Sequence, residues 1–443
     1  LIELFFHHPI IGALVIAAIA FVYYLNRNNP VGGQTSSNVP AATLDDSEKQ
    51  SAISSLVQHD PNFDEQAFYQ RVGVAFNKIQ AAWCAQNLSV VRPFISDGVH
   101  ERFTLQFSEQ KAEGWHDQMD NIQVQDIEIA ELRSDGLFDE LSVRIAASAL
   151  DYRVSLASGK RLGGATAPDQ FVEVWSFLRH RGAVTQPGKS GLIEGNCPNC
   201  GAPVELNQSA NCTHCKAMLR SGQYDWVLSE ITQEVEWDGE RHGQLPGVAA
   251  LRNTDPEFNA VELEDRASVM FWRKATADRI GKIDPLRKAA SEAFCQAYAP
   301  AIHPSPDGHR QFFADCAIGS VQLLGVMSAA SGDRAVVEVR WSGKLVGLWT
   351  NQPPRVLEEN HLEYTLLVLW RAAGTKTDSG KGISSAHCPN CGAPESNDAS
   401  NACEFCGAVL NDGAHGWILV DLANKNEARG NQLLAELNSG AAG

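Results

Sequence analysis

The heptapeptide Cys-Pro-Asn-Cys-Gly-Ala-Pro occurs twice in this chain, starting at Cys197 and again at Cys388, an offset of 191. The same offset relates Cys212 to Cys403, Cys215 to Cys406 and Trp226 to Trp417, while Asp60-Pro-Asn-Phe and Asp255-Pro-Glu-Phe match at 195. Because the matched segments keep one order in both halves, the chain is a tandem duplication of a unit of about 190 residues. Its fold is therefore one that such a unit can make twice. The length of 443 residues agrees, since it suffices for two or three cores.

Within the first unit, Phe68, Val72, Phe76, Ile79 and Trp83 recur at helical spacing, with Asn62 and Asp64 as candidate caps. Val91, Ile95, Val99, Phe103 and Phe107 continue in steps of four and predict a second helix. The period then changes. Ile122, Val124, Ile127 and Ile129, then Leu141, Val143 and Ile145, then the alternation from Phe171 to Phe177, predict strands. The second unit repeats this order, with a helical stretch from Leu263 to Ala299 and strands near Val321, Val336–Trp341 and Tyr364–Trp370. Ser331-Gly332-Asp333 reads as a hairpin turn. Helices followed by strands imply an α+β unit.

Eight of the 11 cysteines form two sets, Cys197, Cys200, Cys212 and Cys215, and Cys388, Cys391, Cys403 and Cys406. Two Cys-x2-Cys knuckles supply four thiolates, enough to close a tetrahedron around Zn2+, so two structural zinc ribbons per chain are expected. Backbone amides of each tight knuckle should point at the sulfurs and offset their charge. His214 and His387 sit beside knuckles, but the other copy has Phe405 and Asn196 at those places, so neither is a shared ligand. Disulfides are the alternative on an extracytoplasmic face; metal binding requires reduced thiols and favours the cytosol. Cys84, Cys295 and Cys316 read as small buried apolar residues. Each ribbon lies between a strand ending at Arg179 or Arg371 and a strand opening at Trp226 or Trp417. If those strands pair, the ribbon is an insertion at a hairpin tip, held away from the core as a knob for contact.

The N-terminal run has no charged residue between Glu3 and Arg27 and ends in aromatic residues and a cation, the pattern of a membrane-spanning helix. A secretory signal is the competing reading, and Leu1 in place of Met fits a piece upstream. Arg27 favours a cytosolic side for the rest of the chain, which begins with a linker rich in Gly, Ser, Asn and Pro. The net charge of −17 opposes nucleic-acid and anionic-lipid binding. Gly188-Lys189-Ser190 lacks the earlier glycine of a phosphate loop, having Ala183 there, and neither HExxH nor GxSxG occurs. No catalytic residue is assigned, and the chain is expected not to be an enzyme.

The stretch from Asp60 to Phe103, with the later Trp175-Ser-Phe-Leu-Arg179 and Asp225-Trp-Val-Leu-Ser-Glu-Ile231, resembles the Tim44-like domain. That family is named for the subunit that holds the mitochondrial import motor at the inner membrane, and has bacterial members with one N-terminal membrane helix. The resemblance is good over residues 60 to 230 and looser in the second unit. It implies helices on a curved antiparallel sheet, a cone similar to nuclear transport factor two with an apolar pocket, and a membrane-proximal scaffold with protein partners and sometimes lipid contact. The spanning helix and the acidic charge depart from the peripheral, basic import subunit, so its motor partner does not carry over.

The expected organisation is a transmembrane helix at 1–27 entering the membrane through residues 4–25, a flexible linker at 28–59, and a first Tim44-like domain at 60–235 with a ribbon at 195–220. A linker at 236–254, a second domain at 255–424 with a ribbon at 386–411, and a tail at 425–443 complete the chain. The expected function is a single-pass adaptor in a bacterial inner membrane, its soluble domains cytosolic, binding a protein partner or complex. The alternative is a carrier or sensor of lipid or another apolar ligand in the cones.

Overall fold

The computed structural model describes residues 46–204, 211–239, 245–306, 308–378, 380, 385–396 and 398–440. The expected membrane helix and the linker as far as residue 45 lie outside the described residues; among these, no helix is long and apolar enough to cross a membrane.

The first unit opens with α1 (Asp46–His59) and α2 (Glu65–Cys84). Asp64 starts α2 by accepting from the Ala67 amide at 2.7 Å, whereas Asn62 binds the Thr185 carbonyl instead. The expected face of α2 is buried through Phe68, Val72, Phe76 and Ile79. The next helix, α3 (Asp97–Glu113), begins later than the spacing suggested, because Val91 and Ile95 flank a 3-10 turn at Arg92–Phe94 that contains Pro93. Ser96 caps α3 by accepting from Val99 N at 3.2 Å.

The chain then builds β1 (Trp115–Asp135), β2 (Phe138–Ser155), the short β3 (Arg161–Gly164), β4 (Asp169–His180) and β5 (Val227–Gln233). They form one antiparallel sheet of order β1-β2-β4-β5, with β3 beside β2. The second unit repeats the plan with α4 (Val248–Thr254), α5 (Ala260–Ile280), α6 (Glu292–Ile302), β6 (Arg310–Ala329), β7 (Gly332–Leu348), β8 (Arg355–Ala372) and β9 (Ile418–Asn424), in sheet order β6-β7-β8-β9. The fold is thus α+β with two antiparallel sheets. The helical stretch expected from Leu263 to Ala299 is two helices, parted where Gly281 adopts φ 68° and a 3-10 turn follows at Asp284–Leu286.

The duplication extends to irregularities. β1 shifts register at Asp120/Gln123, Val124/Asp126 and Ile129/Glu131, and β6 shifts at Ala314/Ala317, Ile318/Ser320 and Leu323/Gly325, each 194 positions on. Bulges bend a strand, so both sheets curve around their helices at the same places.

Three segments expected as linker or tail are ordered helix in part. Leu56 of α1 is fully buried against the first core, Val248 and Leu251 of α4 enter the second, and α7 (Ala428–Gly440) lays Leu433 and Leu437 on Val336, Leu366 and Val368 of the second sheet. Their apolar positions are few and flanked by polar residues, so composition conceals them.

The units also pack on one another, α3 against α5. Approach is close enough that a Cβ at Gly98 would lie 2.9 Å from Ser268 Oγ, so a larger residue there would have to displace the Ser268 side chain.

Candidate metal centres and the junction they brace

The four sulfurs of Cys197, Cys200, Cys212 and Cys215 lie within 4.8 Å of one another, as do those of Cys388, Cys391, Cys403 and Cys406. Among the described residues these are the two groups of such side chains able to hold a metal ion. The Cys197–Cys215 and Cys200–Cys212 sulfur separations are 3.7 and 3.8 Å, and Cys388–Cys406 and Cys391–Cys403 are both 3.7 Å. A metal about 2.3 Å from each of four thiolates sets tetrahedral edges of about 3.8 Å, so the donor set fits a metal of that size. All eight are free thiols and none is paired as a disulfide.

The knuckles supply hydrogen bonds to the sulfurs. Backbone amides of Cys200 and Asn199 point at Cys197, and those of Cys391 and Asn390 point at Cys388. The asparagine in each Cys-Pro-Asn-Cys reaches across to the fourth cysteine, Asn199 Nδ2 to Cys215 Sγ at 3.4 Å and Asn390 Nδ2 to Cys406 Sγ at 3.5 Å. The Ala217 amide draws the Cys215 thiol down to about 6, and Asn390 with the Ala408 amide does the same to Cys406. Burial pushes Cys197 and Cys388 up to about 12, the opposite tendency that a bound cation would offset.

The strands flanking each ribbon pair as expected, β4 with β5 and β8 with β9. The ribbons nevertheless do not project from the core. Cys197 and Cys212 belong to the first hydrophobic core together with Leu219 and Trp226. The second ribbon is wedged between units. His387, which is not among the clustered ligands, donates from Nδ1 to Asp97 Oδ2 at 2.8 Å and accepts from Arg220 at 2.6 Å through Nε2. The Ala386 amide also donates to Asp97, and Arg92 pairs with its other oxygen. Burial opposes charge on Asp97, but His387 and Arg92 outweigh it and hold the carboxyl well below its usual range. Burial, with Arg92 nearby, lowers Arg220 to about 9. Beside this network Arg273 of α5 is fully buried, donating to Glu101 at 3.1 Å and to Glu395 of the ribbon at 2.7 Å. Lys288 fastens the ribbon from the other side through Ser396 and Asp398.

A second arrangement, present in both units, joins the ribbon base to the helix before it. Asp60 accepts from Arg179 at 2.7 Å and from the amide and hydroxyl of Thr185, while Asp255 accepts from Arg371 at 2.6 Å and from the amide and hydroxyl of Thr377. The guanidiniums lie over the rings of Trp226 and Trp417 at 4.3 and 4.7 Å. The sequence displays the repeated Asp, Arg and Trp but not their union. Thr185 and Thr377, which share the Arg offset of 192, are the missing signal.

These observations meet those from known proteins. Residues 49–190 match the family model of the Tim44-like domain. The Tim44-like segment thus runs from α1 through β4 and stops short of the first ribbon. No curated protein matches the chain. A solved structure described as an "Ntf2 like protein involved in plasmid conjugation" is 7% identical, covers 66% of this chain and 88% of its own, and superimposes with a TM-score of 0.11. So weak a superposition carries no argument about fold or function.

Proposed function

We propose that the chain is a membrane-tethered, non-enzymatic adaptor whose two units, each braced by a structural zinc ion in its four-cysteine ribbon, form one platform for a protein partner. The observation that carries this reading is the interlock at the second ribbon. Buried charges there hold two units in a fixed relation, as a binding platform requires. The Tim44-like match supports a membrane-associated, protein-binding role in general terms. The tether is residues 4–25, argued from their sequence, and reduced thiols favour the cytosolic face of a bacterial inner membrane. On this reading the contact surface includes Phe405, 69% exposed on the second ribbon.

Native mass spectrometry of the full-length chain in mild detergent, with no metal added, tests the reading. Two zinc ions per chain and a stoichiometric polypeptide that is lost in Phe405→Glu are expected. A chain that carries no polypeptide from the membrane overturns the adaptor, and a metal other than zinc overturns the zinc assignment.

A further inference from the structure

Between α2, α3 and the first sheet lies a cavity of about 400 Å3. Half-buried Trp83 and Phe171 furnish its aromatic walls, the more deeply buried Phe103 and Trp175 border it, and four carboxylates, Asp117, Asp151, Asp169 and Glu173, line it as well. The apolar pocket expected from the family is therefore an acidic one.

Nearby cations do not balance those carboxylates. Arg102 lines the cavity, but its guanidinium is bound to Glu230 at 3.4 Å and to the Ile231 carbonyl. Arg153 stands opposite Asp117 on the neighbouring strand and lies over the Trp115 ring at 4.0 Å. Asp117 receives a neutral amide from Gln110, and Glu173 receives the Trp175 indole and the Gln233 amide. In the same wall Gln106 Oε1, an acceptor, is buried with no partner.

The second unit shows what such a place accepts. At the repeat offset of 195, Ile79, Trp83 and Phe103 correspond to Lys274, Asp278 and Tyr298. There the Lys274 ammonium donates to Asp278 at 2.8 Å and lies 5.8 Å from the Tyr298 ring centroid, while the Tyr298 hydroxyl closes on Asp278 at 2.8 Å. The second cone carries its own ammonium group on a carboxylate and an aromatic face. The first has aromatic faces and carboxylates around open volume, with aliphatic Ile79 where the lysine would stand.

We propose that the cavity of the first unit is a binding site for a small organic ammonium, held by aromatic faces and by the Asp117 and Glu173 carboxylates. Aromatic rings attract a cation through their negative faces, and a quaternary or tertiary ammonium also fills apolar volume. The binding would be selective against a neutral molecule of the same shape, since only a cation compensates carboxylates partly removed from water. The site is independent of the adaptor reading.

Isothermal titration calorimetry on the full-length chain tests it, with choline and tetraethylammonium as probes and dimethylbutanol, the uncharged carbon isostere of choline, as the control. Saturable uptake of the ammonium ions without the alcohol is expected, weakened at least about tenfold in Asp117→Asn. Glu173→Gln provides the same reading if the first variant does not fold, as checked by circular dichroism. Monomeric dihexanoylphosphatidylcholine added as a competitor separates two sources of the same chemistry. Displacement of choline assigns the site to a lipid headgroup, and no displacement assigns it to a free amine. Equal uptake of alcohol and ammonium, or uptake of neither, overturns the proposal.

Discussion

The Asp97 carboxylate, at the first position of α3, and the His387 imidazole, one residue before a metal-site cysteine, are bonded at 2.8 Å across 290 residues of chain. Neither is exposed beyond 3% at its side chain. This contact joins the Tim44-like segment of the first unit to the ribbon of the second.

Asp97→Ala leaves Arg220 and His387 buried without their anion, and breaking a buried pair from one side costs about 3–5 kcal/mol. Chemical denaturation should show a loss of that order, and small-angle scattering should show a larger radius as the units part. Unchanged stability would mean that the network contributes nothing to docking.

Metal removal should reach further than the ribbons. Because Cys197 and Cys212 lie in the first core and the second ribbon covers α3, chelation is expected to accelerate amide exchange in α3 as well as in both cysteine clusters. Exchange confined to the clusters, measured by mass spectrometry, would contradict this.

The two Asp-Arg-Thr-Trp arrangements predict unequal costs, because Arg371 also pairs with Asp333 at 2.9 Å. Asp60→Ala should destabilise by about 3 kcal/mol, since it strips the buried Arg179 of its carboxylate, and Asp255→Ala by less, since Arg371 keeps Asp333. Thermal unfolding of the variants checks this, and a loss below about 1 kcal/mol in Asp60→Ala would show that Trp226 and Thr185 hold the Arg179 guanidinium without it.

Burial raises Glu109, Glu230 and Asp265 to about 7 where the units meet. A carboxyl with a folded pKa above its unfolded value makes the folded state bind more protons, so stability is lost as pH rises from about 4 to 7. Asp60 and Asp97, held low, act in the opposite sense, and their contribution fades only as pH falls below about 4. Asp265→Asn should therefore stabilise the chain by more than about 1 kcal/mol at pH 8 and by little at pH 4. Urea melts at the two pH values give the comparison, and an equal effect at both would remove the raised carboxyl from the account.

Local periodicity carries the helices and strands, because Phe68, Phe76, Leu141 and Val143 each face a core at the period of their own element. Cysteine spacing brings the metal-site residues together for an equally local reason. The junction stays hidden because its residues are where the copies differ: Asp97 corresponds to Glu292, Arg273 to Lys78, His387 to Asn196 and Glu395 to Val204. A repeat displays what the two units share, and contact between them is made by what they do not. Placing the ribbons away from the core fails for the same reason, since the pairing of β4 with β5 fixes where an insertion starts but not which surface it returns to.

Burial of the second ribbon also imposes an order on synthesis. At about 5–20 residues per second, the 290 residues between Asp97 and His387 take roughly 15 to 60 s to emerge. During that interval the first unit has time to fold while Asp97, paired with Arg92 of its own unit, waits for the ribbon that covers it, whereas Glu101 meets Arg273 earlier. The near-complete chain then closes on its own beginning, so a nascent chain stalled before residue 385 would expose the Asp97 end of α3 in place of the finished junction.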